Sequence, residues 1–208
     1  ICDRLTASHP YILSKYRQHF RMTQFPTRSQ QLVDLADERI IILDGAFGTM
    51  LQSLNLTEDD FRGSRFKSHG TNLRGCNDVL CLTCPQAVAG IHRQYLEAGA
   101  DIIETNSFNA NAISLADYAL SEYAAEINLA AAEIARAEAD EYFKATGRRA
   151  YVAGSVGPTN KSLTMAVTLD ADIDWHTMVA AYTTQMTALI KGGAHLLIIE
   201  TIFDTLNA

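Results

Sequence analysis

The sequence predicts an α/β fold of four parallel strands, each leading into a crossover helix. Four short apolar runs bounded by turn residues carry the strand assignment: RIIILDG at 39–45, DIIETNSF at 101–108, AYVAGSVGP at 150–158 and HLLIIETIF at 195–203. None alternates polar with apolar residues, so each suits a parallel strand covered on both faces. Segments of helical period lie between them, and strand–helix–strand order requires a parallel sheet with right-handed crossovers. Successive strands begin roughly 45 to 60 residues apart, a spacing at which eight units would need well over about 250 residues. The 208 residues hold four units. The expectation is therefore the N-terminal half of a (β/α)8 TIM barrel over residues 38–208, with an open doubly wound sheet as the competing arrangement.

The elements follow in order. In LDGAFGTML the first strand ends at Asp44, and Gly45 and Gly48 allow a tight turn and close approach of backbone to a ligand. Pro85 stands at a first helical position and Gly99 closes that helix. Ser121 is the expected cap of a second helix ending at Gly147, with Tyr123, Ile127, Ala130, Ile134 and Ala137 on one face. Asp174 is the expected cap of a third, whose stripe of Trp175, Met178, Val179, Tyr182, Met186 and Leu189 reads as core.

A composition of 48% hydrophobic and 20% charged residues is that of a globular chain. A formal charge of −7 without a dense basic run argues against a nucleic-acid partner. No apolar stretch reaches the roughly 20 residues that span a bilayer. Four cysteines make no disulfide framework and fit a reducing compartment, so a cytoplasmic location is expected. Residues 1–37 read as an N-terminal extension. Its first 21 residues carry Asp3 as their only acid, a faint transit-peptide signature, and Met22 is the favoured alternative start. CLTC, Cys81 to Cys84, has half-knuckle or redox spacing near Cys76 and His92, yet no second pair follows, so it reads as structural.

Two strands run into a glutamate followed by threonine, at Glu104 and Glu200. In both candidate architectures the carboxyl ends of the strands form the ligand site, and Asp44, Glu104, Asn106 and Glu200 all fall there. A buried carboxylate needs a cationic partner or internal donors. Acids for an ammonium, together with backbone N–H groups of a glycine loop for a carboxylate, suit an α-amino acid.

RIIILDGAFGTMLQ, DFRG, LRGCNDVL, EAGADIIETNSFN, AGSVGPTN and LLIIETIFDTLNA together resemble the homocysteine-binding barrel of cobalamin-dependent methionine synthase, from about Glu38 onward. The resemblance implies a zinc-dependent homocysteine S-methyltransferase module that makes methionine with methylcobalamin, the methyl coming originally from methyltetrahydrofolate. It assigns Asp44, Gly45, Ala46, Glu104, Asn106 and Glu200 to substrate binding, with Glu200 the preferred partner of the substrate ammonium. It places no catalytic residue and no metal ligand in this stretch. The zinc cysteines are expected beyond Ala208, so neither zinc nor methylcobalamin is expected bound by these residues. The implied partners are homocysteine, a second half barrel and folate and cobalamin domains, with self-association of this piece expected. Two departures stand out: Ala46 occupies a position where many relatives have glycine, and KSLTMAVTLDADID has no clear counterpart. Betaine or S-methylmethionine enzymes and a noncatalytic amino-acid-binding module are the alternatives.

Overall fold

The computed structural model describes residues 27–165 and 173–208. The chain forms two units, one ending at Glu38 and one running from Arg39 to Ala208. In the first, Thr27–Glu38 is a helix, α1, that its polar sequence gave little reason to expect. Cys2, the 1–21 leader and Met22 lie outside the described residues, as do residues 166–172 of the KSLTMAVTLDADID stretch.

The second unit begins with Phe47–Ser53 (α2) and Glu58–Arg62 (α3). Thr57 accepts from the Asp60 N–H while the Asp60 carboxylate accepts from the Thr57 N–H, a reciprocal cap that starts α3. Leu80–Thr83 (α4) leads into Pro85–Ala98 (α5), where Pro85 opens the helix and Gly99, at φ 107°, closes it. Strand β1, Ile102–Glu104, is followed by the short helix Ala112–Leu115 (α6) and by Ala124–Thr146 (α7). Ser121 does not cap α7; its hydroxyl donates to the Ala112 carbonyl at 2.8 Å, and a 3-10 turn at Ser121–Tyr123 precedes the helix. Strand β2, Tyr151–Val156, the helix Trp175–Lys191 (α8) and strand β3, Leu196–Ile199, complete the order. Asp174 does cap α8, accepting from the Thr177 N–H at 2.7 Å.

The sheet has the order β1-β2-β3 and is parallel throughout, with Ile103 opposite Val152 and Ser155 opposite Ile198. Three strands stand where four were expected. Residues 39–45 contribute a single parallel bridge, Leu43 to Ile102, with the Asp44 N–H donating to the Ile102 carbonyl at 2.9 Å. The cause is Asp101. Its buried carboxylate accepts from the Ile42 N–H at 2.9 Å and from Arg39 at 2.6 Å, so a side chain replaces the ladder where the strand would begin. Ile40 and Ile42 remain exposed.

Every residue of β2 is buried. Small side chains let α7 lie close to the sheet: Ala135 and Ala139 pack with Leu96, Ile103 and Val152, and Ala132 packs with Val156, Met178 and Leu189. A second body of core fills the space around α2 to α6, with Leu80, Ile91, Leu115 and Ile127 at its centre. The stripe on α8 is only partly core. Met178, Tyr182 and Leu189 are buried, whereas Trp175 is 54% and Val179 43% exposed, because no described element covers that side.

A clasp joins the loops after β2 and β3. The Asp204 carboxylate accepts from the Ser162 hydroxyl at 2.6 Å and from the Thr164 N–H at 2.9 Å. Asn207 accepts from the Leu163 N–H at 3.0 Å and donates to the Lys161 carbonyl at 2.8 Å.

Candidate active site

At the carboxyl ends of the strands lies a cleft of about 440 Å³. It is lined by all six residues expected to bind substrate: Asp44, Gly45, Ala46, Glu104, Asn106 and Glu200. Asp44 and Glu104 come together because the chain at 42–44 runs beside β1; the Asp44 Oδ2 accepts from the Glu104 N–H at 2.9 Å. Its other oxygen, Oδ1, is buried with no hydrogen-bond partner. Glu200 follows β3 and accepts from the Ser155 hydroxyl at 2.5 Å, across the adjacent strand. The next residue, Thr201, has φ 56°, a conformation that a β-branched residue rarely adopts. Asn106 is largely buried, and its amide donates to the Asn77 carbonyl at 2.7 Å.

The electrostatics follow from these positions. Burial, reinforced by the charges of Glu104 and Glu200, pushes the Asp44 carboxyl up to about 7. Burial and the neighbouring Glu200 push Glu104 up to about 7. Among the described residues no lysine, arginine or histidine lines the cleft. Such a surface attracts a cation, and it can shed protons as one arrives.

Among the lining residues that were not anticipated, four polar ones shape the wall. Asp78 is buried, accepts from the Asn109 N–H at 3.0 Å, and is raised to about 6 by burial. Asn77, Thr105 and Ser155 complete the wall: Thr105 accepts from the Ser155 N–H at 3.0 Å, and its hydroxyl pairs with that of Ser107 at 2.6 Å. The LRGCNDVL motif contains Asp78, but that residue stands in a 3-10 turn and not at a strand end, the position that marks the site in the sequence. Tyr95 lies behind the glycine loop, where a Cβ built on Gly45 would stand 3.5 Å from its hydroxyl.

Cys76 and Cys81 belong to the core. Cys81 is buried and donates to the Asn106 carbonyl at 3.4 Å, and burial pushes the Cys76 thiol up to about 12. Cys84 is a free thiol at the start of α5. Cys76 and Cys81, held protonated by burial, are poor nucleophiles and poor metal ligands. Among the described residues no group of three or more His, Cys, Asp or Glu side chains is arranged to hold a metal ion.

The profile of the homocysteine S-methyltransferase family matches residues 41–208. The chain belongs to that family. Solved structures of the homocysteine methyltransferase MmuM from Escherichia coli are similar in fold. The metallated form matches with a TM-score of 0.64 at 23% identity, over 84% of this chain and 58% of that one. The oxidized form matches with a TM-score of 0.63 at 23% identity, over 83% and 57%. This chain thus spans less than two thirds of the length of those relatives. The cleft lies within the matched range.

Proposed function

We propose that this chain carries the amino-acid-binding part of a homocysteine S-methyltransferase that forms methionine. The observation that carries the proposal is the convergence of Asp44, Glu104 and Glu200 on one cleft that no basic side chain among the described residues lines. The ammonium of homocysteine supplies the missing positive charge, with Glu200 as its main partner and Ser155 fixing that carboxylate. The α-carboxylate takes the backbone N–H groups of the 45–48 loop, which precede the first hydrogen bond inside α2.

For methyl transfer the thiol must lose its proton; the thiolate sulfur then bonds to the methyl carbon, and the donor leaves with the electron pair of the broken bond. In the favoured reading the donor is methylcobalamin, recharged from methyltetrahydrofolate, and zinc holds the sulfur as thiolate. The described residues do not fit zinc, since Cys76 and Cys81 are buried and held protonated and no three His, Cys, Asp or Glu side chains among the described residues come together to hold a metal, so its ligands would come from elsewhere in the whole protein. What these residues do is bind and orient the amino acid. Glu104, poised near neutrality, gives up its proton as the ammonium enters.

The test is calorimetric titration of the whole protein with L-homocysteine. Removing one charged hydrogen-bond partner costs about 1.5–3 kcal/mol, so Glu200→Gln should weaken binding roughly 10- to 100-fold. Asp44→Asn should weaken it as well. Unchanged affinity in both variants would remove the assignment.

A further inference from the structure

Three hollows meet at Gly75. It borders the acid cleft, a second hollow of about 390 Å³ and a third of about 320 Å³. Gly75 has φ 102° and no side chain, so between the first two hollows it contributes only backbone, beside Asn77.

The second hollow lies between α2 and the 72–77 loop, and Arg74 is its only charged lining residue, accompanied by Gln52, Asn55 and Asn77. From Arg39 onward every other described arginine has a partner. Arg39 and Arg148 hold Asp101, Arg62 holds Glu58, Arg65 holds Glu126, Arg93 holds Glu138, Arg136 holds Asp140, and Arg149 lies over the Phe143 ring. The Arg74 guanidinium has none among the described residues. Its backbone, in contrast, is pinned: the Arg74 N–H donates to Glu58 at 2.7 Å and to Asn72 at 2.9 Å. Glu58 cannot also neutralise the guanidinium, since it already accepts from Arg62 at 2.6 Å and from the Leu73 N–H at 2.9 Å.

An acid-lined cleft thus adjoins a hollow bearing one uncompensated arginine. Methyl transfer to a thiolate needs a methyl carbon bound to an electron-deficient leaving group, and that end of the donor suits the acids. An anionic group on the same donor finds no cation in the cleft, but it finds one past Gly75. A guanidinium presents paired N–H donors to the two oxygens of a carboxylate or phosphate. We infer that Arg74 is an anion subsite for the methyl donor, taking a carboxylate or phosphate that the donor carries. This inference rests on the methyl-transfer reading above.

The experiment titrates the whole protein, as wild type, Arg74→Gln and Arg74→Lys, with four probes: glycine betaine, tetramethylammonium, methylcobalamin and L-homocysteine. Loss of a charge-assisted contact should weaken an anionic donor about tenfold or more in Arg74→Gln, with partial recovery in Arg74→Lys. Tetramethylammonium and homocysteine should bind as before. A loss confined to betaine identifies a carboxylate as the anion, and one confined to methylcobalamin identifies its phosphodiester. The inference is overturned if neither anionic probe binds the wild type, if both keep their affinity in Arg74→Gln, or if tetramethylammonium weakens equally. Absence of homocysteine binding in the wild type, with Arg74-dependent binding of an anionic probe intact, would sink the methyl-transfer reading instead. Matching melting curves for the three proteins exclude a folding defect.

Discussion

Asp44 and Glu104 are acids whose protons the fold retains to about pH 7. An unfolded chain releases those protons near pH 4, so ionisation opposes folding, and this part of the stability declines as pH rises from about 4 to about 7. Asp44→Asn and Glu104→Gln should each therefore be more stable than wild type at pH 8, by roughly 1–2 kcal/mol after allowance for solvent screening. The advantage should vanish at pH 4, as urea denaturation at the two pH values will show. Binding of an ammonium ligand should have the opposite slope, strengthening as the acids ionise through about pH 7. His92 tells a related story. It is fully buried, neither ring nitrogen has a hydrogen-bond partner, and it lies 5.0 Å from the Phe47 ring. Burial pushes it down to about 3, so folding loses stability as pH falls below about 6.5, where the unfolded imidazole takes up a proton. His92→Leu should raise the urea midpoint at pH 5 more than at pH 8, because it removes both the unpaired nitrogens and the titration.

At the scale of elements, Asp101 decides how the sheet begins. Its side chain is fully buried between Arg39 and Arg148, which hold its carboxyl well below the usual range. Replacing both arginines by alanine strands that charge, a change that costs about 3–5 kcal/mol in buried pairs. The expected outcome is a loss of that size in urea denaturation at pH 7, shrinking as pH falls and Asp101 takes up a proton. The sequence showed the apolar run at 39–45 but not this substitution of a side chain for ladder bonds, since a partner 59 residues away leaves no local trace. Helices were more legible. Pro85, Gly99, Asp174 and Gly147 act where they stand, because caps and stops are local chemistry. Ser121 failed as a cap because its hydroxyl found the Ala112 carbonyl, again a contact that spacing does not reveal.

For the whole molecule, the side formed by α8 and β3 leaves Trp175, Ile199, Phe203 and Leu206 exposed, next to a shallow apolar hollow. Apolar surface of this kind drives association. Light scattering of these 208 residues should show a mass that rises with concentration, and Phe203→Glu with Ile199→Lys should reduce it. The same topology explains why the acids could be found from sequence. Parallel strands point their carboxyl ends one way, so a rule about strand ends located Asp44, Glu104 and Glu200 together, whereas Asp78 and Ser155 reach the cleft from a 3-10 turn and from inside β2, positions that the rule does not address. The clasp of Asp204 and Asn207 on residues 161–164 adds a temporal constraint. During synthesis at about 5–20 residues per second, the earlier loop emerges seconds before its holders. Until they arrive, water must satisfy the Leu163 amide, so the loop after β2 is finished only when the turn after the following strand has left the ribosome.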